Sequence, residues 1–172
     1  MSIEEELHEH ATHAQNPFDK RVAATMAGLA AALAIVTVMG HMATTEEIVH
    51  QQRASDQWSF FQAKSIRRYE SEIARDVLST VQGAEKAEVY AKNAERYAKE
   101  TEEIQKQAKE LEAESKHKGQ EAIRLEFGEV FLEVAIVLAS LAILTKREPF
   151  WFAALASGGL GLAIAASTYF IH

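Results

Sequence analysis

Residues 22–42, VAATMAGLAAALAIVTVMGHM, contain no Asp, Glu, Lys or Arg. As a helix rising about 1.5 Å per residue, such a run covers the roughly 30 Å hydrocarbon layer of a bilayer. Residues 127–145, FGEVFLEVAIVLASLAILT, and 150–171, FWFAALASGGLGLAIAASTYFI, are apolar runs of similar length. The pattern predicts an all-α integral membrane protein with three transmembrane helices. Three crossings place both ends of the intervening charged stretch, residues 44–125, on one side of the membrane.

Composition narrows the function classes. A chain of 172 residues that spends about a third of its length in apolar runs has room for one further small unit. Cysteine is absent, which removes disulfides, thiolate metal sites and cysteine nucleophiles. The net charge of −7 is the wrong sign for nucleic acid, which asks for clustered Lys and Arg. Residues 1–19 are acidic and lack the basic start and small-residue cleavage site of a secretory signal. Ile3, Leu7, Ala11 and Ala14 fall at helical spacing there, and Asn16-Pro17 would end such a helix before the first crossing.

Lys20 and Arg21 precede the first apolar run, and Lys146 and Arg147 occupy the short link between the second and third. Short basic segments stay in the cytoplasm, so the amino terminus and the Lys146-Arg147 link are expected there and the 44–125 stretch outside it, with Lys116, Lys118 and Arg124 opposing that orientation.

Between residues 44 and 125 there is no proline, and Gly83 lies close to the midpoint. A segment that must return to its starting surface then reads as a helical hairpin, a stalk with its turn near residue 83. In the second arm Ala87, Tyr90, Ala94, Tyr97, Thr101, Ile104, Ala108, Leu111, Ser115, Lys118, Ala122 and Leu125 alternate steps of three and four, the spacing of a left-handed coiled-coil seam. Glu88-Lys92, Glu95-Lys99, Glu102-Lys106, Glu112-Lys116 and Glu114-Lys118 lie on its outer face at four-residue spacing. In the first arm Ile48, Trp58, Phe61, Tyr69, Ile73, Val77 and Val81 mark an apolar stripe expected to pack on that seam.

Because many seam positions are Ala, Ser or Thr, closing the hairpin buries little area, and further copies are expected to help. Trp58, Phe60, Phe61 and Tyr69 form an aromatic group that one opposing arm cannot cover from every side. They serve either intrachain packing or an oligomer or partner contact. Ala24-Gly28-Ala32, Ala154-Gly158 and Ser157-Gly161-Ala165 repeat small residues every four positions, as close-packed membrane helices do. Phe150, Trp151 and Phe152 at one end of the third run and Tyr169 and Phe170 at the other resemble interfacial aromatic belts.

Glu126, Glu129 and Glu133 share one helix face at the start of the second run. Counting helical rise from Phe127, Glu133 lies roughly 10 Å inside, where an ionised carboxylate is costly and is expected to face the bundle interior. The topology brings His41 and His172 to a similar depth. Glu129, Glu133, His41 and His172 are thus a candidate ion-binding or proton-accepting cluster, repeated around an oligomer in a channel reading. The plainer reading is a polar stalk face running on to the interface, with Glu133 hydrogen-bonded between helices.

His8, His10 and His13 among glutamates are a weak candidate metal set, and the alternative is an acidic tail. His50 and His117 lie near the membrane ends of opposite arms. No phosphate-binding loop, metalloprotease helix or nucleophile elbow occurs, so neither catalysis nor a cofactor is expected. The sequence reading favours a membrane-anchored, self-associating scaffold with a possible protein partner at the stalk tip, and keeps an oligomeric channel as the alternative.

Three sets of segments carry a resemblance. They are Asn16-Pro17-Phe18-Asp19-Lys20-Arg21-Val22-Ala23, then Ala54-Ser55-Asp56-Gln57-Trp58 with Gln62-Ala63-Lys64-Ser65-Ile66, then Ala135-Ile136-Val137-Leu138-Ala139-Ser140 running to Ala142-Ile143-Leu144-Thr145. Together they resemble the domain of unknown function 4337 family of bacterial membrane proteins. The resemblance spans nearly the whole chain and implies a bacterial inner-membrane protein with the same three-crossing plan. It brings no activity and assigns no residue a role.

Overall fold

The computed structural model of the protein describes residues 17–81 and 84–170. The architecture is all-α. Helix α1 runs Pro17–Thr80, α2 runs Ala84–Thr145, α3 runs Glu148–Ala166, and a 3-10 turn, Ser167–Phe170, follows. Both prolines of the chain fall in first turns, Pro17 opening α1 and Pro149 lying in the first turn of α3, where a missing N–H costs no helical bond. With no proline between them, nothing in the sequence breaks α1 or α2. The 1–16 segment, Gly83 and His172 lie outside the described residues.

The helices divide into two compact units. The first holds residues 17–44 and 120–170 of the described chain, and the second is Thr45–Gly119.

In the first unit the three apolar runs pack side by side. Leu29, Val36, Ala43, Ala122, Leu125, Leu132, Ala135 and Ala165 form one buried cluster. Val22, Ala139, Ala142 and Ala154 form a second, flanked by Phe18, Met26, Phe150 and Trp151. Much of this interior is alanine, which lets the backbones approach. Many large apolar side chains point outward: Ile35, Val38, Val137, Leu144, Phe152 and Leu160 are all exposed. This inverts the soluble-protein pattern and is the arrangement lipid asks for, since hydrocarbon gives no hydrophobic drive between helices and rewards close packing. All three helices are long and apolar enough to cross a membrane.

The small residues of the third run take the predicted role, Ala154, Gly158, Gly161 and Ala165 being the buried face of α3. Those of the first run divide: Ala32 packs against the buried cluster, while Ala24 and Gly28 are exposed, with nothing within 4 Å of where a Gly28 methyl would stand.

α2 and α3 are joined tightly. Lys146 adopts a positive φ of 56° just beyond the end of α2, the left-handed conformation that commonly terminates helices and usually selects glycine. Arg147 is extended at the N-cap of α3. The Lys146 ammonium contacts the Asp19 carboxylate, tying this turn to the start of α1. Trp151 beside it donates from Nε1 to Thr25 Oγ1 at 3.2 Å and meets Phe18 edge-to-face at 6.3 Å.

In the second unit α1 and α2 run antiparallel. On α2, Ala87, Ala94, Thr101, Ile104, Ala108 and Ser115 are buried, and Tyr97, Leu111 and Lys118 are half-buried. Tyr90 departs from the expected seam at 39% exposure.

The expected stripe on the first arm requires a larger correction. Ile48, Tyr69, Ile73, Val77 and Val81 are exposed, and only Trp58 and Phe61 of that set turn toward α2. The face of α1 that packs inward is Ala54, Trp58, Phe61, Lys64, Ser65, Arg68, Ser71 and Glu72. The cause lies in the seam opposite, whose small, polar-rich positions leave room for long amphipathic stems and offer charged partners to their heads.

Candidate functional site

Two groupings could carry function, one in each unit. In the first unit, Thr37 on α1 donates from Oγ1 to Glu129 Oε1 at 2.7 Å, in a half-buried position. The hydroxyl satisfies one carboxylate oxygen between two apolar helices, where an unpaired oxygen costs several kcal/mol.

Glu126 and Glu133, on the same side of α2, are both exposed. Glu133 thus faces outward from the packed helices, against the expectation that it turns to their interior. The positions nearest the helix axis of the bundle at its level are taken by Leu132 and Ala135, both fully buried. Among the described residues Glu133 has no hydrogen-bond or ion-pair partner.

The register fixes its level. Thr37 pairs with Glu129, and a methyl on Gly158 would stand 3.5 Å from the Ala135 Cβ and 2.5 Å from Leu29 Cδ2. Glu133 lies between those two levels, opposite the middle of the 22–42 run. Ser140, further along the same face, is exposed and bonds its own helix through Ile136 O at 3.0 Å. His41 is exposed on α1. Of the candidate cluster, the structure places Glu129 held by Thr37, Glu133 turned outward and His41 on α1, and His172 lies outside the described residues.

In the second unit, polar contacts lace the hairpin arms. Trp58 Nε1 donates to Glu112 Oε1 at 2.7 Å and stacks edge-to-face on Phe61 at 5.5 Å. Phe60 and Tyr69 are exposed. The aromatic group therefore splits, Trp58 and Phe61 packing within the chain while Phe60 and Tyr69 are exposed beside Lys64 and Arg68.

Lys64 reaches across to Glu100 and lies 5.3 Å from the Phe60 and Tyr97 ring centres. Its hydrogen bond holds the Glu100 carboxyl below the ordinary Glu value, assisted by the charges of Arg96 and Arg67. Hydrogen bonds from Arg67 and then Arg96 lower the Tyr97 hydroxyl in the same way. Lys118 bonds Glu46 at 2.9 Å and lowers it, which answers why a lysine occupies that seam position. His50 Nδ1 lies 2.9 Å from Glu114 Oε2, so its partner is a carboxylate on the opposite arm and not a second imidazole. Of the four-spaced pairs, Glu88-Lys92 and Glu95-Lys99 form, at 2.8 and 2.9 Å. Lys106 instead turns to Glu110 at 3.8 Å.

Among the described residues no three His, Asp or Glu side chains converge as metal ligands would. His8, His10 and His13 lie outside the described residues.

The family model for a domain of unknown function, DUF4337, matches residues 18–171. The chain belongs to this family. No curated protein and no solved structure matches it. The DUF4337 match covers every helix described above, so the apolar unit and the hairpin together form the family's domain.

The outward aliphatics of the hairpin's first arm are the feature that sequence reasoning misplaced. The signal was present in the buried set: Ala54, Trp58, Phe61, Ser65, Arg68 and Glu72 follow steps of four, three, four, three and four. Ile66, Tyr69, Ile73 and Val77 keep similar steps on an exposed flank, roughly 100° around the helix.

Proposed function

We propose that this DUF4337 chain is a membrane-anchored helical hairpin that self-associates, acting as a scaffold or interaction protein and not as an enzyme. The bilayer holds the three apolar runs, and the charged 45–119 hairpin lies in water. Lys20, Arg21, Lys146 and Arg147 assign the amino terminus and the α2–α3 link to the cytoplasm of a bacterial inner membrane and the hairpin to the periplasm. The Asp19–Lys146 contact supports putting those four cations at one end.

The observation that carries self-association is the outer face of α1 in the hairpin. Ile66, Tyr69, Ile73 and Val77 are 55% to 63% exposed and lie roughly 60° to 140° around the helix from the face that packs on α2. A lone hairpin in water gains nothing from an aliphatic stripe on its outer side. Copies inserted in one membrane share one orientation and depth, so parallel association sets Ile66 on Ile66 and Ile73 on Ile73 in a second seam, while confinement raises their effective concentration. Val81 and Val89, exposed beside the link between the arms, support a protein partner at the hairpin end.

Since the native chain has no cysteine, Ile73→Cys introduces a single thiol. In native membranes this variant is expected to form disulfide-linked dimers on mild oxidation, and an added Ile66→Glu substitution to abolish them. Monomers throughout would refute self-association. A liposome flux that depends on Glu133, abolished by Glu133→Gln, would favour a channel instead.

A further inference from the structure

Glu133 is a carboxyl group on the outer face of an apolar unit, level with the middle of its first apolar run and without a partner among the described residues. Left against lipid it is among the most expensive groups a helix can present, so some polar group must meet it. The Glu133 level holds no cation, since no Lys or Arg occurs in residues 22–42 or 127–145.

The neighbouring surface of α1 is built for close approach. Ala23, Ala27, Ala30 and Ala34 recur at steps of four, three and four, and all four are exposed. Running antiparallel to α2 in the register set by Thr37 and Glu129, α1 brings Ala30 and Ala34 level with Glu133. A small-residue face beside a hydrogen-bonding group is what membrane helices use to associate.

We propose that a second copy of this chain docks on the face formed by Glu133 and Ser140 of α2 and Ala23, Ala27, Ala30 and Ala34 of α1, the two Glu133 side chains hydrogen-bonding to each other across a two-fold axis along the bilayer normal. The second copy is favoured over an unrelated partner by depth and by chemistry. A two-fold axis along the normal brings each residue to its own counterpart at equal depth, so Glu133 meets a polar group without any further polar residue being needed. A neutral carboxylic acid is both donor and acceptor and is therefore complementary to itself. This inference rests on the membrane-embedded, self-associating reading above and locates where copies meet inside the bilayer.

The test uses the full-length chain in native membranes. Ala34→Cys is expected to crosslink between copies, and Leu162→Cys, exposed on α3, to stay monomeric. Adding Glu133→Leu, which inserts more readily than the native residue, is expected to weaken the Ala34→Cys dimer roughly 5- to 30-fold, the value of an interhelical polar contact in lipid. Glu133→Gln keeps a donor and an acceptor and is expected to retain the dimer. Crosslinking unchanged by Glu133→Leu overturns the proposal, as does labelling of Ala34→Cys by a membrane-impermeant maleimide, which would show a water-lined face. Dimers through Ile73→Cys but not Ala34→Cys would refute this interface and leave self-association standing. Monomers in both would refute self-association itself.

Discussion

Gly128 and Gly161 bring two helix backbones into direct contact: a methyl group on Gly161 would stand 2.7 Å from the Gly128 carbonyl oxygen, and one on Gly128 2.9 Å from the Gly161 carbonyl oxygen. Neither obstacle is a side chain that can swing away, so α2 and α3 must separate to admit a Cβ. Where lipid supplies no hydrophobic drive, this proximity is itself much of what holds the pair together.

Gly161→Ala is therefore expected to destabilise the detergent-solubilised protein by about 1 to 3 kcal/mol, the usual cost of overpacking. Gly159→Ala next to it meets nothing within 4 Å and should be neutral or gain up to about 1 kcal/mol in helix propensity. Denaturation followed by circular dichroism separates the two. Equal behaviour of both variants would mean that the Gly128–Gly161 contact does not constrain the fold.

Lys146 predicts an opposite sign. Its φ of 56° strains an L-residue, yet its ammonium also contacts Asp19. Replacement by glycine relieves about 1 kcal/mol of strain and loses an ion pair worth about 0 to 1 kcal/mol, so Lys146→Gly should unfold at or slightly above the native temperature. Lys146→Val loses the pair and adds β-branching at a left-handed position, and should unfold below it. A lower melting temperature for the glycine variant than for the valine variant would contradict the turn geometry.

The fold was legible in sequence wherever one requirement acted alone. Apolar length marked the three runs, and the absence of proline marked continuous helices. The α2 seam was legible because its small residues have no competing use. On α1 two apolar sets compete: Trp58 and Phe61 turn inward while Ile66, Tyr69, Ile73 and Val77 turn outward, and reading them as one stripe averaged two faces. Lys64 and Arg68 could not be recognised as inward-facing without knowing that small residues and Glu100 lie opposite. Glu133 was misdirected for a related reason. The cost of a carboxylate in lipid demands a partner, but sequence cannot say whether that partner belongs to the same copy.

Acid should loosen the hairpin. Hydrogen bonds from Lys118 to Glu46, Lys92 to Glu88, Lys99 to Glu95 and Lys64 to Glu100 hold these carboxyls below their ordinary value of 4.5. A depressed folded-state value contributes stability that is present above 4.5 and is lost as pH falls through the lower folded value. Amide protection factors in residues 45–119, corrected for intrinsic exchange, should therefore fall below that pH, and Glu46→Gln should flatten the dependence near Lys118. The groups are exposed, so molar salt should shrink the effect. Protection that rises on acidification would contradict these pairings.

The two tryptophans report on the two units separately, Trp58 in the hairpin and Trp151 at the start of the apolar α3. Trp151 donates to Thr25 and packs against Phe18 and Phe152 at the end of the apolar unit that also holds Asp19 and Lys146, the position of an interfacial aromatic belt. In vesicles, Trp58→Phe leaves Trp151 as the sole indole, and its fluorescence should be strongly quenched by phospholipids brominated near the headgroup and weakly by those brominated near the chain ends. Trp151→Phe leaves Trp58, half-buried among Phe61 and Glu112, which should be quenched by aqueous acrylamide and by neither lipid. The phenylalanine variants keep both aromatic contacts, so a loss of signal cannot be blamed on an emptied site. If Trp58 is quenched by brominated lipid, the hairpin does not stand in water and the membrane assignment of the charged unit fails. If neither lipid reaches Trp151, the apolar unit is not embedded at the depth its aromatic end requires.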